Sequence, residues 1–254
     1  MSIIRLITLF ISIAQLFKNK RIKKISWRNL LEQVLELIPR LIFYCIISSL
    51  LISILLTLQV VKESIRLNII QDLGGLMWIM AIREVSPMLT GIITIFHLAI
   101  LISSKIEKRK ISDQIDSIYL MQIDLSAFLI LPKLIVCCLL LPIINCLSIT
   151  TIITFSIYIT TIVYGLDSNI FVISMLKNFQ ILDLIKSLLK TVVFGFFLTI
   201  SSTLSELVLI INMHLISNYI KYFVLTSLVG IFILNVFVTT FIFKEVDFLF
   251  YFMI

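Results

Sequence analysis

Residues 41–61 read LIFYCIISSLLISILLTLQVV, with no charge in 21 positions. At 1.5 Å per helical residue the run extends about 32 Å, the depth of a bilayer's hydrocarbon core. Its apolar residues follow one another without alternating, which argues against a barrel strand. Apolar stretches recur at 73–104, 125–165, 184–211 and 222–243, and 60% of the 254 residues are hydrophobic against 14% charged. With a mean hydropathy of +1.16, the chain has too little polar surface to coat a soluble globule. These stretches predict an all-α integral membrane protein, a single domain over 1–254 with five transmembrane helices.

On the N-terminal side of residue 41, Trp27–Arg40 places Leu30, Leu31, Val34, Leu35 and Ile38 at helical spacing, with Arg28, Glu32 and Glu36 opposite. A lead-in helix at the membrane surface is expected there. Residues 1–17 are apolar but short and carry Arg5, so they predict an interfacial helix, with a further span as the alternative. Interfacial and lead-in helices thus occupy 1–40. Between them Lys18, Lys20, Arg21, Lys23, Lys24 and Arg28 cluster without an acid. Beside apolar spans, such a cluster marks the inner face and contact with anionic lipid, not with nucleic acid. An inner N-terminus then puts 105–124 and 212–221 on the same side.

Toward the C-terminus, 73–104 is too long for one upright crossing, about 48 Å as a helix. Pro87 lacks a backbone donor, which predicts a kink near Glu84. The stretch 125–165 carries Pro132, Lys133 and Pro142 and reads as one long kinked crossing with Lys133 near the inner surface. The next, 184–211, carries Lys190 and Glu206. Ionisable groups inside a span are costly, so Arg83, Glu84 and Lys190 stand out as a lipid path or a structural pair. Glu84 and Lys190 both fall in the outer half, where they have the option of pairing as a structural salt bridge or of lining a polar cavity, while Arg83 has the option of snorkelling to the headgroups.

Catalytic signatures are sparse. No GxxxxGK[ST] phosphate cradle and no GxSxG elbow occurs, and His97 and His214 lie in no metal-binding spacing. Cys45, Cys137, Cys138 and Cys146 sit in apolar runs as small core residues. The chain is therefore expected not to be an enzyme, and to bind neither metal nor cofactor.

The longest charged interval, Ser103–Asp124, reads SSKIEKRKISDQIDSIYLMQID. Ile111, Ile115 and Ile118 form an apolar stripe, and Asp113 and Asp116 suit the first turn of a helix. A short amphipathic helix over 112–124 is an ordinary loop helix or a docking element for a partner. Residues 83–136 resemble the MlaE family of ABC-transporter permeases, which includes chloroplast TGD-type lipid importers. The family's RE-L-G-P element is similar to Arg83-Glu84-Val85-Ser86-Pro87. Its E-Q-I-D-A-L-x-x-M-x-V-D element is similar to Asp113, Gln114, Ile115, Asp116, Ser117, Ile118, Met121 and Asp124, and its IKSVVFG segment to Leu188–Gly195.

The resemblance implies a homodimeric permease that receives an ABC ATPase subunit at the 112–124 coupling helix. It also implies an MCE-type lipid-binding subunit on the opposite face, and glycerophospholipid as cargo. ATP would be used by the partner subunit, in keeping with the missing phosphate cradle. A lipid headgroup would be met by Arg83 or Lys190. One departure concerns packing: bulky residues Phe96–Leu101 replace a run of small ones that lets helices approach closely. The reading from another class is a membrane scaffold that docks a soluble partner through 105–124 without transport. The 51 isoleucines against 4 alanines favour an AT-rich genome, which with the chloroplast relatives points to a plastid inner envelope, the alternative being a bacterial inner membrane.

Overall fold

The computed structural model describes residues 27–111, 125–211 and 216–242. The expected interfacial helix 1–17, the basic residues up to Lys24 and the coupling helix 112–124 lie outside the described residues. Among the described residues every regular element is helical. Helix α1 is Trp27–Arg66, followed by a 3-10 turn Ile70–Asp72, α2 Leu73–Met80 and a π-helical turn Ala81–Val85. Helix α3 is Ser86–Ile111, α4 Leu125–Tyr164, α5 Ser168–Lys177, α6 Ile181–Ile211 and α7 Ile216–Ile242.

Among the described residues four stretches are long and apolar enough to cross a membrane: Pro39–Arg66, Ile70–Ser104, Lys133–Tyr164 and Asn218–Ile242. The fifth expected crossing, 184–211, corresponds to α6 and is not among the four. This 31-residue helix carries Asp183, Lys186, Lys190 and Glu206, which dilute its apolar character. Asp183, Lys190 and Glu206 are nevertheless buried in the bundle. The lead-in helix and the first crossing are one 40-residue rod, with Pro39 inside it. Asn68 closes that rod in the left-handed region (φ 56°), a conformation asparagine tolerates, while the Ile69 N–H returns to the Ser64 carbonyl at 2.9 Å.

Small residues decide which helices pack closely. On α1, Cys45, Ser49 and Ser53 recur one turn apart and face α4. They meet Ser148 Oγ at 2.8 Å, Thr151 Oγ1 at 2.6 Å and the Ile152 carbonyl at 3.0 Å. Such contacts bring two backbones together where lipid offers no hydrophobic drive. Helix α4 packs in turn on α6, where a Cβ at Gly195 would lie 3.3 Å from the Cys137 carbonyl oxygen. The centre is α3, whose Ile95, Leu98 and Ile102 are fully enclosed. Its bulky Phe96–Leu101 run is divided: Leu98 and Leu101 face the core, whereas Phe96 and Ile100 point outward. The outer faces of α1 and α7, with Phe43, Leu51, Leu55, Leu225, Ile233 and Phe241 exposed, present the apolar surface a bilayer requires.

Helix α5 is a short clip over the start of α2, with Phe171 and Ser174 buried beneath it and Ile173 and Leu176 exposed. Asp167 caps it by accepting from the Asn169 N–H at 3.0 Å. The Gly74 N–H donates to Ser174 Oγ at 2.9 Å, and a Cβ at Gly74 would come within 2.0 Å of the Phe171 carbonyl oxygen. Only glycine permits that approach. The clip leads into α6 and so fixes where Asp183 enters the bundle.

Candidate functional site

The expected break in the second stretch is a π-turn over Ala81–Val85. There the Ser86 N–H reaches back five residues to the Ala81 carbonyl. One residue later Pro87 brings no N–H to the carbonyl a turn before it, that of Arg83. Lys190 supplies the missing donor. Its Nζ donates to the Arg83 carbonyl at 2.7 Å and to Thr239 Oγ1 at 2.6 Å, and lies 3.7 Å from Glu84 Oε2. Its side chain is 0% exposed, so the ammonium is committed to the protein.

Around that centre the other charges are held in pairs. Arg83 Nη2 donates to Asp183 Oδ2 at 3.0 Å, both side chains largely buried. Asn235 Nδ2 on α7 donates to Glu84 Oε2 at 2.7 Å. A turn further along, Ser86 Oγ donates to the Asn145 side-chain oxygen at 2.5 Å, and Asn145 Nδ2 donates to Ser187 Oγ at 3.0 Å. Four helical segments thus converge on a helix defect. Glu84 differs from the rest, with 45% of its side chain exposed. It is the charge of this cluster that opens outward, whereas Lys190 faces in. Buried acceptors remain beside it, since Asp183 Oδ1 and Asn235 Oδ1 have no hydrogen-bond partner among the described residues.

A second charged contact joins α4 and α6. Lys133 Nζ donates to Glu206 Oε1 at 2.5 Å, with the two side chains 9% and 4% exposed. Lys133 opens the span Lys133–Tyr164, as its expected place near a membrane surface requires, but it is buried within the protein and paired. Glu206 lies sixteen residues after Lys190 on α6, about 24 Å along the axis, so the two clusters occupy different levels.

Of the expected site residues, Arg83, Glu84 and Lys190 come together. Asp113, Gln114, Ile115, Asp116, Ser117, Ile118, Met121 and Asp124 lie outside the described residues. Asp183, Asn235, Thr239 and the Lys133–Glu206 contact were not foreseen. The signal for them was available, since each is a polar residue next to or within an apolar run and needs a partner when buried. Which partner depends on helix order in space. Among the described residues no group of three His, Cys, Asp or Glu side chains gathers to hold a metal ion.

Residues 30–241 match the family described as Permease MlaE. The chain belongs to the MlaE permease family. Over 189 residues it is 31% identical to "Probable ABC transporter permease protein ycf63" of Porphyra purpurea, covering 74% of this chain and 71% of that protein. It is 27% identical over 240 residues to "Probable ABC transporter permease protein slr1045" of Synechocystis sp., covering 94% and 91%. It is also 27% identical over 221 residues to "Protein TRIGALACTOSYLDIACYLGLYCEROL 1, chloroplastic" of Arabidopsis thaliana, covering 87% of this chain and 63% of that protein. In this MlaE permease the Arg83–Pro87 element spans the end of the π-turn and the first residues of α3, and Lys190 donates to the Arg83 carbonyl within it.

Proposed function

We propose that the chain is the membrane subunit of an ABC-type lipid transporter, moving glycerophospholipid with energy from a separate ATPase. The observation that carries this reading is the charged π-turn in a chain of the MlaE permease family. It sets a half-exposed acid, Glu84, part-way along the mostly apolar, central stretch Ile70–Ser104. In this reading α6 crosses the membrane as the fifth span. The N-terminus and 105–124 face the motor. An MCE-type lipid-binding subunit meets the opposite face, and two copies of the chain form the permease. The ATPase docks on the coupling helix through Asp113, Gln114, Ile115, Asp116, Ser117, Ile118, Met121 and Asp124. That segment joins α3 to α4, so movement there enters both helices at once.

The geometry supports a division of roles at the cluster. Lys190 holds the defect in shape. Glu84, half-exposed, is the group offered to a lipid headgroup, and its carboxylate suits one that brings hydroxyl or ammonium donors; Arg83 is offered only when its contact with Asp183 opens. The π-turn is the weak point of the α2–α3 path, so a push from the α3 end is absorbed where Glu84 sits. Plastid inner envelope is the proposed location, supported by the chloroplastic relative and the isoleucine-rich composition.

The test is co-purification followed by reconstitution. The tagged chain should bring down an ATPase whose turnover rises with phospholipid in proteoliposomes, and Arg83→Gln with Glu84→Gln should slow lipid movement. Recovery of no nucleotide-hydrolysing companion, or labelling that puts Asp116 on the side opposite the N-terminus, would remove the proposal and leave the scaffold reading.

A further inference from the structure

We infer that the Lys133–Glu206 pair is the fulcrum through which the foot of α4 is coupled to α6. The inference rests on the transport reading above. Three observations carry it.

The pair has no role at the π-turn cluster, about 24 Å away along α6. It joins two charges that water scarcely reaches. Removing two charges from water is costly, and a well-packed apolar pair of similar volume holds helices at least as firmly. Adhesion alone does not call for ions here. An ion pair does something an apolar contact does not: it has two discrete states, closed and dry or open and hydrated, and it fixes register instead of letting side chains slide.

Its position gives those two states a use. Lys133 stands eight residues into α4, the helix that begins where the 112–124 segment ends. Directly before it Pro132 lacks the N–H that would tie it to the preceding turn, so the first turns of α4 are joined to the rest by a weakened link. Lys133 is the first charged side chain past that link, and it is gripped by α6. Glu206 in turn sits five residues before the end of α6 at Ile211. A movement delivered to the foot of α4 therefore pivots at Pro132 while Lys133 holds the upper part of the helix to α6. These two side chains are positioning residues; neither is offered to the lipid.

The experiment uses the full chain with its ATPase in phospholipid vesicles, and reads lipid moved per ATP hydrolysed. Three proteins are compared: wild type, the apolar pair Lys133→Met with Glu206→Leu, and the exchanged pair Lys133→Glu with Glu206→Lys. The apolar pair should assemble with the ATPase and unfold no earlier than wild type, yet lose about 2- to 30-fold in lipid moved per ATP, the range seen when a coupling network is cut. The exchanged pair should recover most of that loss.

An apolar pair that couples as well as wild type overturns the inference, as does one that fails to assemble, which would make the contact structural. An exchanged pair no better than the apolar one also overturns it, because attraction between the charges would then not be the cause. Wild type without lipid-stimulated ATPase activity sinks the transport reading, and the fulcrum with it.

Discussion

Two charged sites in one bundle are built on opposite plans. At the π-turn Lys190 donates to the Arg83 carbonyl and Thr239 and lies 3.7 Å from Glu84, which is itself held by Asn235. Between α4 and α6, Lys133 has Glu206, and among the described residues that is its one recorded hydrogen bond. The first is a network with one edge open, the second a closed pair. At Lys190 the loss of one partner leaves two others beside the ammonium. A closed pair has no such reserve, since removing either half strands the other in a place water barely enters. In a permease the distinction separates a place that can lend a group to a ligand from a place that keeps a shape.

The largest effect should therefore come from the pair. Glu206→Leu leaves the Lys133 ammonium buried without its acid and should cost about 3–5 kcal/mol. Thermal unfolding in detergent, followed by loss of helical signal, measures it. Next comes Lys190→Met, which removes the Nζ donor from the Arg83 carbonyl and Thr239 and should cost about 2–3 kcal/mol, less than the first because Glu84 keeps Asn235 and its access to solvent. A reversal of that order would break the contrast between pair and network.

The proline beneath the network offers a sharper test. Restoring a backbone N–H with Pro87→Ala gives the Arg83 carbonyl a second possible donor. In the Pro87→Ala background, Lys190→Met should then cost about 1 kcal/mol less than it does alone. Equal costs in both backgrounds would mean that Lys190 is not replacing the donor proline withholds. Smaller again is Glu84→Gln, which keeps an oxygen for Asn235 and loses a half-exposed charge; unfolding should shift by under about 1 kcal/mol. Lipid movement by this variant should fall while the fold stands.

The spans were readable because their signal is local. Residues 41–61 need no neighbour to be recognised as a crossing, and Pro87 announces a defect in its own helix whatever packs against it. That Glu84 and Lys190 lie at one depth was legible too; that they pair, and do not merely line a cavity, was one of two readings until the helices were placed. What could not be read was anything requiring the order of helices around the bundle. Lys133 beside a proline near the start of a run reads as a residue near the inner surface, and its partner stays hidden until α6 is known to lie against α4. Asn235 is an ordinary polar interruption until α7 is known to face the π-turn. The clip of α5 depends on a pair of glycines whose meaning is set by a segment about a hundred residues away.

The smallest expected effect concerns the relation between the two sites. They share α6, but Lys190 and Glu206 are sixteen residues apart on it and share no hydrogen-bond partner. Sites so placed should add in stability, so Lys190→Met combined with Glu206→Leu should unfold within about 0.5 kcal/mol of the sum of the separate losses. Transport is the opposite case. If motion passes from the foot of α4 to the π-turn, the two act in series, and once the foot is uncoupled the second change has little left to remove. Additive unfolding with non-additive transport is the pattern expected of two independent structures serving one movement. Additive losses in both would leave the sites unconnected in function, and coupling in both would mean that α6 transmits strain between them even at rest.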